Sequence, residues 1–192
     1  MNAVAHPIKA QAVAPLTAQL GAAQPTQYLT FMLGGEMFAI GILAIKEIIE
    51  YQGLTSVPMM PDCIRGVINL RGAVVPVMDL AARFARDSAP VTKRTCIVIV
   101  EVESNEERHD VGVIVDAVNE VIDIANAEIE PAPTFGTRIR TDFIHGMGKV
   151  KGKFVILLDA NHVLSMDELS SLGQVGSASE LVPALDGVHS DA

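Results

Sequence analysis

The residues that could carry out chemistry are few, and their spacing matches no catalytic or metal-binding pattern. The chain of 192 residues has five histidines and two cysteines. Cys63 and Cys96 each lie in an apolar stretch, which is typical of small buried side chains and not of a zinc or redox pair. The histidines lack the spacing of metal ligands, no serine lies in a nucleophile elbow, and the glycines at 146–152 are not spaced as in a phosphate-binding loop. We therefore predict no catalytic residues, no metal and no cofactor.

The charge balance argues against nucleic acid and membrane partners. The chain carries 23 acidic and 14 basic residues, a net charge of −9, with 4% aromatic residues and no tryptophan. Binding of single-stranded nucleic acid normally needs a basic groove and aromatic platforms. No apolar run approaches the ~20 residues of a membrane-spanning helix. We therefore expect a protein partner, no nucleic acid and no direct membrane insertion.

One sequence pattern occurs twice, 80 positions apart. Residues 62–79 and 142–159 are identical at six of 18 positions, including two glycines and two aspartates in register. Each copy has the pattern of a strand, a tight turn at Gly72 or Gly152, a second strand, and a helical turn capped by aspartate. We therefore predict that the chain contains two copies of one structural unit.

The strand patterns predict how the two copies are joined. Each copy has five short segments with the β-branched content of strands. Some of them, such as residues 96–100 and 154–158, are apolar on both faces, and the interior of one small barrel cannot bury both. The sequence therefore predicts an all-β fold with short helices. We expect two five-stranded, partly closed β-barrels of the SH3 or OB type, related by a pseudo-twofold repeat and sharing a central hydrophobic core.

The repeat also predicts boundaries along the chain. In order these are a disordered leader (1–27), a first barrel subdomain (28–84), a linker (85–93), a second barrel subdomain (94–165, with the domain extending to 170) and a flexible acidic tail (171–192).

The two copies differ at the predicted tip of the hairpin. The first has Asn-Leu-Arg at 69–71, whereas the second has Lys-Val-Lys at 149–151. The planar guanidinium of Arg71 at an exposed turn is well suited to carboxylates and backbone carbonyls of a partner protein. A basic residue that only keeps the hairpin soluble is equally consistent with the pattern. Glu47, in an otherwise apolar strand, is first explained as the solvent face of an alternating strand.

Several stretches of the sequence, including Glu47 and Arg71, resemble those of a known family. The chain resembles the chemotaxis coupling proteins, the CheW family, in Phe-Ala-Ile at 38–40, Ile-Lys-Glu-Ile at 45–48, and above all Ile-Arg-Gly-Val-Ile-Asn-Leu-Arg-Gly at 64–72. The second copy agrees in the stretch 111–121, and the similarity covers roughly residues 27–170.

The resemblance implies a fold of two five-stranded barrels and a non-catalytic cytoplasmic adaptor that is recruited to membrane receptor arrays. Such proteins join the cytoplasmic tip of a chemoreceptor, a methyl-accepting chemotaxis protein, to the regulatory domain of a CheA-type histidine kinase. By this resemblance the receptor-binding residues are Ile45, Glu47, Asn69 and Arg71, and the site-shaping residues are Gly66 and Gly72. It assigns no kinase-binding residues. The alternative is a small-barrel protein that binds a ligand or nucleic acid without enzymatic activity.

Overall fold

The computed structural model describes residues 25–104, 106–133 and 139–165, which form mostly β-strands. In chain order the strands are β1 (Thr26–Leu33), β2 (Glu36–Gly41), β3 (Ile45–Glu50), β4 (Ile64–Leu70), β5 (Ala73–Asp79), β6 (Cys96–Ser104), β7 (Glu107–Val115), β8 (Ala117–Ile124), β9 (Ile129–Glu130), β10 (Ile144–Val150) and β11 (Lys153–Leu158). Two one-turn helices, α1 (Leu80–Arg83) and α2 (Ala160–Val163), follow β5 and β11. Residues 1–24 of the predicted leader and all of the predicted tail lie outside the described residues.

The strands form two sheets, each curled into a partly closed barrel. The five-stranded barrel has the order β3-β6-β7-β5-β4, and the six-stranded barrel has the order β8-β1-β2-β11-β10-β9. The extra strand is the two-residue β9, in which Glu130 pairs with Met147. Its counterpart in the five-stranded barrel is a single bridge between Thr55 and Val67. The predicted fold class is confirmed: all-β with short helices, built as two related barrels.

The division of strands between the barrels differs from the prediction. We expected residues 28–84 to form one barrel and residues 94–165 the other. Instead, the hairpin β1–β2 joins the strands β8 to β11, and the hairpin β6–β7 joins β3, β4 and β5. The parallel pairings of β2 with β11 and of β7 with β5 hold each hairpin in the barrel of the other half. The two copies offer similar strand edges, so the repeat alone does not specify which copy receives each hairpin.

Strand β6 shows how both faces of one strand are buried. Ile97 and Ile99 belong to the apolar cluster of the five-stranded barrel, together with Val75 and Val77. The alternate residues of β6, such as Val98, belong instead to the core that the two barrels share. This arrangement confirms the expectation that strands apolar on both faces pack between the barrels.

The shared core is crossed by a row of four phenylalanine rings. Phe31, Phe38, Phe84 and Phe143 are buried, and successive ring centroids lie 6.2, 5.8 and 6.1 Å apart. Such pairs contribute about 0.5–1.5 kcal/mol beyond the burial of their area. Three of the rings come from the first half of the chain and Phe143 from the second, so the core joins the two copies.

The repeat is visible in matching close contacts at two glycines. Near the start of β4 and of β10 the strand pairing shifts register, at Gly66 and Gly146. At each position the crossing chain approaches so closely that an added Cβ would lie 2.4 Å from the carbonyl oxygen of Thr55 or 2.9 Å from that of Glu130. Gly66 also has φ +150°, a conformation that L side chains rarely adopt.

The predicted aspartate caps are confirmed in both copies. Asp79 Oδ1 accepts hydrogen bonds from the N–H groups of Ala81 (2.9 Å) and Ala82 (3.3 Å) at the start of α1. Asp159 Oδ1 accepts from the N–H of His162 (3.1 Å) in α2. Each aspartate therefore caps the helical turn that follows its strand.

Gly66→Ala is expected to destabilise the protein by roughly 2–3 kcal/mol, because the added methyl meets the Thr55 carbonyl and the backbone becomes strained. Urea unfolding measures the loss. Gly53→Ala is the control, since nothing lies within 4 Å of an added Cβ there. Equal stability of the two variants would show that the close approach at Gly66 does not constrain the fold.

The exchange of hairpins predicts that neither half folds alone. Residues 94–170 carry β6–β7 without β3 to β5, and β8 to β11 without β1–β2. We expect this fragment to melt without cooperativity, and to regain a cooperative melt and strand circular dichroism when mixed with residues 25–93. A sharp melt of residues 94–170 by themselves would contradict the shared core.

Candidate protein-binding site

The hairpin between β4 and β5 presents Arg71 at its tip. Arg71 and Gly72 have φ values of 53° and 93°, the two positive angles of a tight two-residue hairpin turn. Asn69 Oδ1 accepts a hydrogen bond from the N–H of Gly72 (2.8 Å). The amide side chain of Asn69 therefore holds the turn, and the predicted position of Arg71 at an exposed hairpin tip is confirmed.

Arg71 forms an ion pair with Glu47, which lies 24 positions earlier in the sequence. Arg71 Nη2 donates to Glu47 Oε2 at 2.8 Å. The side chain of Arg71 is 80% exposed and that of Glu47 is 24% exposed. Exposed pairs of this kind typically contribute at most about 1 kcal/mol. The contact therefore orients the guanidinium more than it stabilises the fold.

The position of this ion pair in the sheet is unusual. Glu47 lies on β3 and Arg71 follows β4, and these are the two edge strands of the five-stranded barrel. The pair thus bridges the gap at which the curled sheet fails to close. The sequence predicted both residues as candidates, and the curvature of the sheet brings them together.

Ile45 lies two residues before Glu47, but its side chain packs against the shared core and not beside the ion pair. It is half-buried and packs against the core that the two barrels share. The pairing of β3 with β6 shifts register between Ile45 and Glu47. Ile45 therefore ties the start of β3 to the core, and only its exposed part can contribute to a surface.

A cluster of charges beside Glu47 was missed by the sequence analysis. Lys46 Nζ lies 2.7 Å from Asp110 Oδ1 and 2.8 Å from Glu101 Oε2. Hydrogen bonds to Asp110 and then to Glu101 raise the pKa of Lys46, and the bond from Lys46 lowers the pKa of Glu101. Glu101 and Asp110 face each other across β6 and β7, so Lys46 reduces the repulsion between two like charges.

The second copy has a matching ion pair. Lys151 Nζ lies 3.0 Å from Glu120 Oε1, and both Lys151 and Gly152 have positive φ values, of 50° and 80°. The side chains are 78% and 58% exposed, so the glutamate is more open to solvent than Glu47 in the first copy. Both hairpins therefore have the same backbone and the same pairing of charges. They differ in the basic residue and in Asn69, whose place is taken by Lys149.

Exposed apolar side chains flank both hairpins. Ile48 and Val74 are exposed in the first copy, and Val121 and Phe154 are exposed in the second. Val74 pairs with Asn69 across β4 and β5, whereas Ile48 pairs with Val98 and lies on the face of β3 opposite to Glu47. The surface around Arg71 therefore mixes charged and apolar groups, as protein-binding surfaces do.

Residues 25–104, 106–133 and 139–165 contain neither of two other kinds of site. No three His, Cys, Asp or Glu side chains gather there as ligands for a metal ion. The helices in these ranges are single turns, and none has the length and apolarity needed to cross a lipid bilayer.

Comparisons with known proteins agree on one family. The sequence profile of the CheW-like domain matches residues 27–168. The chain is 33% identical over 152 residues to the chemotaxis protein CheW of Klebsiella aerogenes, covering 79% of this chain and 89% of that protein. It is 38% identical over 144 residues to the chemotaxis protein CheW of Bacillus subtilis, covering 74% and 89%.

The fold agrees as well. The crystal structure of the scaffolding protein TtCheW from Thermoanaerobacter tengcongensis matches with a TM-score of 0.67 and 34% identity, covering 76% of this chain and 91% of that one. The resemblance seen in the sequence is therefore confirmed, and so is the expectation of a protein without enzymatic activity, because the family consists of non-catalytic scaffold proteins. The chain belongs to the CheW-like domain family of chemotaxis scaffold and adaptor proteins.

Proposed function

We propose that this protein couples the cytoplasmic tip of a chemoreceptor to a CheA-type histidine kinase, in the cytoplasm at membrane receptor arrays. The observation that carries the proposal is the exposed Arg71, held by Glu47 and by the turn at Gly72, in a chain of the CheW-like family. The protein acts by holding its partners in position, without chemistry of its own.

The receptor-binding residues in this proposal are Ile45, Glu47, Asn69 and Arg71. Guanidinium has five N–H donors, and the bond to Glu47 uses one of them. The others are suited to carboxylates and carbonyls on the receptor, and Arg is enriched among the residues that dominate binding energy. Val74, which is exposed and pairs with Asn69 beside the turn, would add apolar contact to this polar centre.

Gly66 and Gly72 are proposed to shape this surface without touching the receptor. Gly66 lets the chain at Thr55 cross against β4, and Gly72 provides the second positive φ of the turn. The hairpin is therefore held at both its base and its tip. A surface fixed before binding loses less conformational entropy when the partner arrives.

The coupling itself rests on the shared core. Partners bound to different barrels are held in a fixed relation because the barrels exchange hairpins and cannot move independently. A receptor could then bias the kinase only through a difference in affinity between its signalling states. A nucleic-acid-binding barrel is not proposed, because the net charge of −9 disfavours it. A ligand-binding barrel is not proposed, because the chain belongs to a family of scaffold proteins.

Arg71→Ala is expected to weaken binding of a receptor-tip fragment about tenfold, or ~1.4 kcal/mol, through loss of the charged centre of the surface. The melting temperature should hardly change, since truncating an exposed turn residue costs under about 0.5 kcal/mol. Titration calorimetry and a thermal melt of the same samples measure the two effects.

Two variants control this experiment. Lys151→Ala removes the matching side chain of the second copy, which is 78% exposed, and should leave receptor affinity unchanged. Arg71→Lys keeps the charge but loses the planar fork and should retain only part of the affinity. Equal losses in Arg71→Ala and Lys151→Ala, or unfolding of Arg71→Ala, would refute the assignment. Retained binding of the kinase regulatory domain by Arg71→Ala would show that the two partner sites are separate.

A further inference from the structure

The two helical turns α1 and α2 meet at the centre of the repeat. Because the two copies are offset by 80 positions, Arg83 at the end of α1 and Val163 at the end of α2 are equivalent residues. Arg83 Nε donates a hydrogen bond to the carbonyl oxygen of Val163 at 3.0 Å. Equivalent positions of a twofold arrangement can touch only near its axis. The contact therefore lies beside the pseudo-twofold axis that relates the two barrels.

Arg83 holds the second half of the chain by two kinds of contact. Its hydrogen bond goes to a carbonyl in the last turn of α2, where the helix itself provides no donor. The centre of its guanidinium also lies 4.6 Å from the ring centroid of Phe143, which is 2% exposed. A guanidinium over an aromatic ring is attracted by the negative face of the ring. Arg83 itself belongs to the first half, so both contacts join the two halves.

These contacts close one end of the row of phenylalanine rings in the shared core. Phe143 is the last ring of the row, and its centroid lies 6.1 Å from that of Phe84, the residue that follows Arg83. Leu164, the equivalent of Phe84, belongs to the same core. Arg83 is half-buried, with its guanidinium between this core and solvent. The barrels could separate at this end only by breaking the hydrogen bond and the stacking together.

The apolar core and the arginine constrain the barrels in different ways. Burial of apolar surface is non-directional, so a small rotation of one barrel over the other changes it little. A hydrogen bond is directional and weakens steeply when its angle falls below about 120°. The planar guanidinium must also remain over the ring of Phe143. Arg83 therefore restricts the angle between the barrels more narrowly than the core does.

The asymmetry of the pair fits this role. Arginine at both equivalent positions would bring two positive charges together beside the axis, and like charges repel. The second copy has Val163 instead, which is fully buried in the shared core and offers its carbonyl oxygen to Arg83. One copy therefore supplies the donor and the other supplies the acceptor.

Two further polar contacts cross between the barrels, but at more exposed places. Arg86 Nη2 lies 2.7 Å from Glu36 Oε2, and the N–H of Glu103 donates to Asn161 Oδ1 at 3.1 Å. Glu36 and Asn161 are both exposed. Exposed polar pairs hold a geometry weakly because water competes for both partners. The half-buried contact at Arg83 is therefore the stronger restraint.

We propose that Arg83 is a positioning residue for coupling, which locks the two barrels at one angle and so fixes the relation between partners bound to different barrels. Arg83 acts through Val163 and Phe143 and touches no partner. The inference rests on the proposed coupling function, but the angle between the barrels can be measured without any partner.

The first experiment measures that angle in the intact, isotope-labelled protein by residual dipolar couplings of the strand amides. Arg83→Met keeps much of the apolar stem and removes the donor and the charge. Both barrels of the wild-type protein should fit one alignment tensor, whereas Arg83→Met should require two, with a melting temperature only slightly lowered. Arg83→Lys keeps a charge and a donor, and should restore part of the single-tensor fit.

Arg140→Met is the matched control. The guanidinium of Arg140 also lies 4.6 Å from the ring centroid of Phe143, but this stacking and its ion pair with Asp142 stay within the second half of the chain. Arg140→Met should therefore retain one alignment tensor. Two tensors in both variants would show that stacking on Phe143, and not the link between the halves, sets the angle. One tensor in Arg83→Met would show that the core alone sets it, and either result would overturn the proposal.

The second experiment measures coupling with a receptor-tip fragment and a CheA-type kinase. Arg83→Met should bind each partner within about twofold of the wild-type affinity. Receptor control of kinase activity should nevertheless fall by about fivefold or more, because the bound partners no longer keep one relation. Unchanged control, in a variant that needs two tensors, would refute the positioning role. A wild-type protein that binds neither partner would refute the proposed function itself, while the dipolar couplings would still decide whether Arg83 locks the barrels.

Discussion

The apolar core between the barrels is the constraint on which the other features depend. It contains side chains from both halves of the chain, and the row of rings from Phe31 to Phe143 crosses it. Because β1–β2 and β6–β7 sit in the barrel of the opposite half, unfolding either half of the chain would remove strands from both barrels. The two hairpin tips are therefore held at a fixed separation by the most buried part of the molecule, and the surface between them can act as one rigid unit.

The two copies of the repeat share the same backbone features but differ in their surface side chains. The crossing chain at Gly66 and Gly146, the positive φ angles at each hairpin, and the ion pair between hairpin and edge strand all occur in both copies. Such features keep the strands in register whichever side chains they carry. We propose that partner specificity depends on a few residues at the tip, where the first copy combines arginine with an asparagine whose side chain accepts a hydrogen bond from the turn. We infer that changes in the side chains at this hairpin tip alter partner affinity with little effect on the stability of the fold.

Several features followed from the sequence because they are local. The glycine turn at Arg71, the aspartate caps and the two-faced strand β6 each depend on neighbouring residues, and all were predicted. The hairpin exchange was not predicted. Strands β5 and β11 have similar sequences and present similar edges, so the sequence does not show which of them pairs with β7. The contact between Arg71 and Glu47 depends on the curvature of the whole sheet. The Lys46 cluster was not predicted, because it depends on the pairing of β3 with β6 and on Glu101 and Asp110 facing each other across β6 and β7.

The most direct test of the account is a chemical-shift map of the intact, isotope-labelled protein during titration with a receptor-tip fragment. If the first hairpin is the binding surface, the largest shifts occur at residues 45–48 and 69–74, while the matching residues 118–122 and 149–154 change little. The strands of the shared core should keep their shifts, since the scaffold binds as a rigid body. Shifts centred on the second hairpin, or spread evenly over both, would contradict the claim that one copy carries the binding site.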